Sequence, residues 1–402
     1  MSYRLQGQDW LTASATRAVT AALAGAGGPD CARFVGGCVR NALIGAPIDD
    51  IDIATTLTPD AVVAALKAAG LRSVPTGIEH GTVTAISERQ PFEITTLRRD
   101  VSTDGRRATV AFTTDWAEDA GRRDFRLNAL YGDADGAILD PTGRGFDDAL
   151  AGRIVFVGEP EGRIREDYLR ILRFYRFYAW YGRGAPDAAA VAACAALAEG
   201  VEQLSAERVS KELLKLLAAP DPRPAVRLMD EAGVLERVLQ EPGDLALFET
   251  MVNLSDDPML RLSALLHADP ARAAEVARRL RLSNAQRDRL VEAGRGQAAT
   301  GLTEPQARAA LYRDGRQAFE DRVMRAWAAG GDAEGARRLL ALAQDWSRPS
   351  LPVGGRDLAR MGLTPGPETG RLLKAFEDGW IADDFPDHGH EERLRALVSP
   401  PG

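Results

Sequence analysis

The sequence predicts an α+β fold: a mixed sheet with helices in the N-terminal part, followed by an all-helical remainder. Three observations carry this. Short apolar runs alternate with helical stretches up to about residue 150. Beyond about residue 184 the apolar spacing is helical throughout. Within the sheet part, residues 34–55 (FVGGCVRNALIGAPIDDIDIAT) run from a Gly-Gly step through a helical stretch to an Asp-Ile-Asp strand. At 402 residues, several domains are expected rather than one core.

Taken in order, residues 8–24 read as a helix, with Trp10, Leu11, Ala15, Val19 and Leu23 near a 3.6-residue spacing. A loop at Gly27-Gly28-Pro29 leads to a strand over 32–35. Val39-Arg40-Asn41 opens a helical stretch. Thr58 caps a helix that has Pro59 at its first position and ends at Gly70. Strands follow near 71–75, 82–86 and 92–97. Residues 101–120 are polar and turn-rich and read as a loop. Residues 165–177 read as a helix, as do 205–218. Asp221-Pro222-Arg223-Pro224 breaks the pattern. Helices follow near 224–232, 243–254, 258–267, 270–281, 283–294, 304–313, 315–329 and 332–347. Residues 348–352 form a linker, and Gly354-Gly355 a turn.

Composition narrows the class. Hydrophobic residues make up 45% and charged residues 27%, as in a globular protein that does not enter a membrane. No stretch reaches the roughly 20 apolar residues that span a bilayer. The N-terminal MSYRLQGQDW has no apolar signal core, so a cytoplasmic location is expected. Cys31, Cys38 and Cys194 form no CxxC pair, which excludes a zinc ribbon or disulfide framework. His80, His267, His388 and His390 lack metal-ligand spacing. Net charge is −8, yet residues 271–340 hold fourteen Arg against nine acids, and residues 153–183 seven Arg against four. Basic faces on an acidic whole suit a protein that grips one RNA; arginines on solvated helix faces with i,i+4 partners give the same composition.

The chemistry concentrates in residues 34–55. In a strand, side chains alternate faces, so Asp50 and Asp52 point the same way. Two carboxylates held together repel, and a divalent cation relieves the repulsion. Oxygen ligands of this kind suit Mg²⁺, which takes one or two carboxylates plus substrate phosphates. Gly36 and Gly37 let backbone N–H groups approach an anion at a helix start. The combination describes a triphosphate held against metal, hence phosphoryl or nucleotidyl transfer.

This stretch resembles the glycine-glycine/DxD signature of polymerase-beta-type nucleotidyltransferases. More narrowly, it resembles the class II tRNA nucleotidyltransferases (CCA-adding enzymes) and their bacterial poly(A) polymerase relatives. Their usual form is GGxVRD followed by DxDxxT; here Asn41 replaces the first motif's Asp. Residues 122–130, RRDFRLNAL, resemble the family's RRDFTxNA, with Arg126 in place of Thr. Residues 139–158 resemble its DPxxG…D…R segment, in which Asp148 and Arg153 match a head–neck hinge. Glu166, Asp167 and Arg170 match EDxxR, Glu207-Arg208 a neck motif, and residues 353–367 the C-terminal GrDLxxxGlxpG segment.

The resemblance implies a polymerase-beta-like nucleotidyltransferase head over 1–150, a neck over 151–220 that selects the base, a helical body over 221–300 and a helical tail over 301–402. It implies addition of CMP, CMP and AMP from CTP and ATP to the tRNA 3′ end. Asp50 and Asp52 would hold Mg²⁺, with Glu93 on the strand 92–97 as the best third ligand and Glu79 a weaker one. Gly36, Gly37 and Arg40 would cradle the triphosphate. Arg122, Arg123, Asp124 and Asn128 would hold ribose and phosphate. The polar stretch after Arg98-Arg99-Asp100 resembles the family's flexible loop. Helical spacing would set Glu166, Asp167, Arg170 and Arg173 on one side, with Arg176 one turn further along. An Arg donor and an Asp acceptor match the pairing edges of both cytosine and adenine; uracil and guanine reverse both groups. Each unpaired buried group costs about 1–3 kcal/mol. Alternatives are a poly(A) polymerase, a CC-only or A-only enzyme, a small-molecule nucleotidyltransferase, or a catalytically silent RNA-binding protein. The sequence leaves oligomeric state open.

Overall fold

The computed structural model describes residues 3–77, 81–104, 107–295 and 300–398. It forms two compact units, Met1–Gln240 and Glu241–Gly402. The fourfold division drawn from the sequence is finer than this partition. Among the described residues no helix is long and apolar enough to cross a membrane.

The first unit opens with helices α1 (Asp9–Thr12) and α2 (Ser14–Gly27) where one helix was expected. Ala13 between them is extended, with φ −58° and ψ 143°. Leu11, Ala15, Val19 and Leu23 are nonetheless all buried, as the spacing predicts. There follow β1 (Ala32–Val35), α3 (Gly37–Ile44), β2 (Asp52–Thr55), α4 (Pro59–Ala68), β3 (Arg72–Gly77), β4 (Thr82–Ser87) and β5 (Gln90–Thr96). Next come β6 (Arg98–Asp104), β7 (Arg107–Phe112), α5 (Trp116–Gly121), β8 (Tyr131–Gly132), β9 (Ile138–Leu139) and α6 (Gly145–Ala151). Helices α7 (Pro160–Glu166), α8 (Leu169–Tyr181), α9 (Ala188–Ala196) and α10 (Ala206–Leu217) complete the part that shapes the site. Thr58 caps α4 by accepting from the Ala61 N–H at 3.4 Å, with Pro59 in the first turn.

Seven strands form one sheet in the order β3-β4-β5-β2-β1-β8-β9. It is mixed: β2 and β5 pair in parallel, β1 and β2 antiparallel. Its two faces differ. Val83 and Ala85 of β4, Phe92 and Ile94 of β5, and Ile53 of β2 are buried, and α2 and α4 lie against these strands. The other face carries Asp52, Glu93 and Thr95, side by side because Asp52 pairs with Glu93 and Ala54 with Thr95.

Two expectations need correction. Residues 101–120 are not a loop: β6 and β7 form an antiparallel hairpin from Arg98↔Phe112 to Asp104↔Arg107, and α5 follows. Val101, Thr103, Thr109 and Val110 are the strand-favouring residues of the two runs, and the abundance of charge around them hid the signal. Nor do residues 165–177 form one helix. α7 ends at Glu166, and Asp167 is extended at φ −158°, ψ 106°. Its Oδ1 accepts from the Leu169 N–H at 3.1 Å, the cap-like bond for which Asp is suited and which competes with helix continuation.

The second unit is helical, as expected: Leu245–Leu254, Pro258–Ala264, Pro270–Arg279, Asn284–Gly294, Glu304–Asp314, Arg316–Ala328 and Ala333–Asp345 lie within two or three residues of the predicted segments. Three further helices, Gly355–Arg360, Pro367–Ala382 and His390–Val398, lie where the sequence reading assigned none. Its cores centre on Phe319, Val323 and Leu339, and on Phe376, Trp380 and Ile381. Many arginines of the basic stretch 271–340 are matched by acids: Arg272 with Glu275, Arg289 with Asp257 and Asp321, Arg308 with Asp384 and Arg322 with Asp314. The excess positive charge there is therefore partly neutralised within the unit. Glu79 and His80 lie outside the described residues.

Gly200 lies against Tyr168, the residue that precedes α8, so closely that a Cβ would run into the tyrosine ring. Gly200→Ala should lower stability by about 1–3 kcal/mol through this overpacking. A reduced urea midpoint, absent when Tyr168→Ala is combined with it, is the expected result.

Candidate active site

The site begins with β2. The alternation of buried Ile51 and Ile53 with Asp50 and Asp52 is the predicted one, although the strand itself starts only at Asp52. Asp50 is exposed and Asp52 half-buried. Burial, then the neighbouring charges of Glu93 and Asp50, push the Asp52 carboxyl up to about 6, while Arg123 pulls it down. Three carboxylates thus act on one another beside the central strands β5 and β2 of the sheet. Among the described residues no three such groups are drawn tightly enough to form a ligand cage on their own. The donor set still fits Mg²⁺: all-oxygen, crowded by like charge, and open to substrate phosphates as further ligands.

Gly36 stands between β1 and α3 with φ 71° and ψ −119°, a conformation that favours glycine. A Cβ there would lie 3.7 Å from Arg123 Nη1 and 3.8 Å from the Asn128 carbonyl oxygen. No side chain caps α3, and the Arg123 guanidinium lies close to the glycine that precedes it. A helix N-terminus, a glycine approach and an arginine make an anion cradle.

Arg40 turns elsewhere. It is 6% exposed. Its Nη1 donates to Asn128 Oδ1 at 2.5 Å and its Nη2 to the Tyr181 hydroxyl at 2.8 Å, and its guanidinium lies 3.9 Å from the Tyr181 ring centroid. Asn41 accepts from Arg40 Nε at 3.1 Å and Nη2 at 2.8 Å. Asn41 thus offers Arg40 an uncharged amide oxygen as acceptor. Arg40 ties α3 to α8.

The other predicted residues form three groups. First, Asp124 is buried, with Arg173 on its Oδ2 and with Asn128 Nδ2 (3.2 Å) and the Phe125 N–H (2.8 Å) on its Oδ1. Burial alone would raise its pKa, but Arg173 and these hydrogen bonds hold it below the ordinary range. Arg176 continues the row, pairing with Glu212 at 2.7 Å. Second, Arg122 and Arg123 both bind Asp119, at 2.7 and 3.0 Å. Third, Glu166 accepts from Arg170 and Arg163, each at 2.5 Å. Arg163 also donates to the carbonyls of Arg122 and Arg123, at 2.5 and 3.0 Å, and so joins α7 to the RRD segment. Asp167 is not paired with Arg170; its Oδ2 accepts from Arg208 Nη2 at 2.6 Å.

Sequence reasoning missed Asp119, Arg163 and Glu212, and gave Arg208 only a bracing role. Asp119 sits i−3 and i−4 from the arginines it binds, a spacing open to inspection. Glu212 and Arg163 reach partners on other elements, which no local spacing reveals.

A family model described as "Poly A polymerase head domain" matches residues 32–155, and one described as "Probable RNA and SrmB- binding site of polymerase A" matches residues 186–243. The CCA tRNA nucleotidyltransferase 1, mitochondrial, of Mus musculus is 33% identical over 368 residues, covering 87% of this chain and 82% of that protein. The chain belongs to the CCA-adding tRNA nucleotidyltransferase family. The CCA-adding enzyme of Streptococcus gordonii is 34% identical over 386 residues, covering 88% of this chain and 91% of that protein. Among solved structures, the Bacillus stearothermophilus CCA-adding enzyme in complex with CTP is 26% identical, with a TM-score of 0.76 and coverage of 96% and 97% of the two chains. Membership of the CCA-adding family makes this chain a nucleotidyltransferase with the head fold the sequence predicts.

The charge crowding at Asp52 is measurable without substrate. Its pKa is raised on folding from 3.8 to about 6. Its contribution to stability is therefore full below the unfolded value and is lost as pH rises through about 6. In metal-free buffer at pH 8, Asp52→Asn should be more stable than wild type by up to about 3 kcal/mol. The gain should vanish near pH 4, and added Mg²⁺ should favour wild type. Equal melting temperatures at both pH values would refute the crowding.

Proposed function

We propose that this enzyme adds CCA to the tRNA 3′ end from CTP and ATP without a nucleic-acid template, releasing pyrophosphate. The observation that carries the reading is the sheet face where Asp52 stands beside Glu93 and near Asp50, with Arg123 acting on Asp52 and lying close to Gly36 at the start of α3. Full-length relatives named for CCA addition support it.

In this reading Asp50 and Asp52 hold two Mg²⁺, with Glu93 as a further ligand. When bound, the metal supplies Lewis-acid activation of the tRNA 3′-hydroxyl and neutralises charge on the leaving pyrophosphate. The 3′-oxygen attacks the α-phosphorus, the bond to the bridging oxygen breaks, and the hydroxyl proton passes to solvent. Gly36, Gly37 and the N–H groups of α3 receive the triphosphate, and Arg122 and Arg123 balance its charge. Arg40 contributes by fixing α3 against α8 through Asn128 and Tyr181 rather than by reaching phosphate. Asp124 and Asn128 support Arg173 and Arg40 and border the ribose.

Asp167 and Arg170 read the base. Each already has a partner that orients it, Arg208 for Asp167 and Glu166 for Arg170. A side chain held in place discriminates better than one that orders on binding. The neck over 151–220 thus selects the nucleotide, while the helical body and tail receive the tRNA by shape and phosphate charge.

The decisive assay offers tRNA ending before CCA, at C, or at CC to each nucleoside triphosphate separately, with products resolved to one nucleotide. CMP should join the first two primers and a single AMP the third. Runs of AMP would indicate a poly(A) polymerase instead. Asp52→Ala should abolish incorporation. Arg170→Ala should cut the preference for CTP over UTP by roughly tenfold or more, the equivalent of one lost hydrogen-bond mismatch.

A further inference from the structure

Helix α5 collects groups from three parts of the head on a single carboxylate. Asp119 is 1% exposed. Its Oδ1 accepts from Arg122 Nη2 at 2.7 Å and from the backbone N–H of Arg98 at 3.3 Å. Its Oδ2 accepts from Arg123 Nη2 at 3.0 Å and from the Tyr131 hydroxyl at 2.7 Å. Arg98 is the first residue of β6. The oxygen that orients Arg122 therefore also holds the base of the β6–β7 hairpin.

The second strand leaves the hairpin at this same base, and its exit is tied to the same helix. Thr113 Oγ1 donates to Glu118 Oε2 at 2.5 Å, and Arg99 Nη1 lies 3.8 Å from Glu118 Oε1. Trp116, the first residue of α5, sets its ring edge-on to Tyr131 with centroids 5.1 Å apart. The helix has six residues and is too short to be rigid alone, so these bonds fix its position.

We propose that Asp119 is a positioning residue that couples the seating of the β6–β7 hairpin to nucleotide binding. This rests on the reading of Arg122 and Arg123 as triphosphate ligands. The physical reason is the sharing of one buried acceptor. Two long arginine side chains are ordered before substrate arrives, so binding does not bear that entropy cost again. The carboxylate has no water to replace a lost donor. A shift of the Arg98 N–H therefore changes what Asp119 offers Arg122, and by linkage nucleotide on the arginines changes the hold on the hairpin.

The test measures the CTP dissociation constant by calorimetry, without tRNA and hence without chemistry, together with hydrogen exchange in peptides covering residues 97–112. Asp119→Asn, Arg123→Gln, their double variant and Tyr131→Phe are compared with wild type. Asp119→Asn should weaken CTP binding about tenfold, within the usual range of coupling between sites. It should also speed exchange at the hairpin base with no nucleotide present. CTP should protect that base in wild type and not in Asp119→Asn. The double variant should bind CTP within about twofold of Arg123→Gln, because the two changes remove one interaction. A folded Asp119→Asn protein with wild-type affinity, additive effects, or an unchanged hairpin would each overturn the proposal. If Arg123→Gln itself binds CTP normally, the triphosphate assignment fails, and with it the coupling; hairpin exchange in Asp119→Asn still reads the anchoring separately. Tyr131→Phe removes two hydrogen bonds, the one its hydroxyl donates to Asp119 Oδ2 and the one it accepts from Arg123 Nε, and leaves no charge unpaired. It decides the matter if Asp119→Asn does not fold: about fivefold weaker CTP binding supports the coupling, and wild-type behaviour overturns it.

Discussion

The parallel pairing of β2 with β5 is the constraint on which the rest depends. It sets Asp52 directly beside Glu93 on one face of the sheet. Backbone hydrogen bonds hold the strands at fixed spacing, so the two carboxylates cannot separate to relieve their repulsion. Asp50, two residues before, adds a third charge. A protein left to maximise stability would not assemble this cluster. In the function proposed above, bound cations would offset its repulsion.

The neighbouring arginines show the opposite balance. Asp124 with Arg173, Asp119 with Arg122 and Arg123, and Glu166 with Arg170 are each matched, at least partly buried and multiply hydrogen-bonded. Breaking such a pair leaves a charge without solvent, which costs far more than the pair gained on forming. These pairs connect the RRD segment to α5 below it and to α7 and α8 beyond it. The groups that would meet phosphate and base are thus held from behind. Negative crowding beside the central strands and matched pairing around it are two parts of one arrangement.

Arg40 and Asn41 illustrate how a departure from a family pattern can be absorbed. Arg40 needs an acceptor for its fork, and the Asn41 amide oxygen serves. The amide carries no negative charge, and the Arg40 guanidinium also stacks on the Tyr181 ring.

By itself the sequence determined the α+β class, the strand that carries Asp52 just after Asp50, the glycine before α3 and the helical character of everything after α10. Each of these depends on local properties: side-chain alternation, cap residues, and glycine at a positive φ. The family resemblance, together with its place on the strand 92–97, marked Glu93 as the best candidate for a third carboxylate. Only the tertiary structure decided which acid meets which base. Arg40 pairs with Asn128 across 88 residues, Arg173 reaches Asp124 across 49, and Asp167 meets Arg208 across 41. Spacing rules see three or four residues along a helix, so they joined Asp167 to Arg170 and made one helix of residues 165–177. The fold broke that helix at Asp167, because an aspartate that can cap the next turn and bind an arginine from α10 gains more outside a helix than within it.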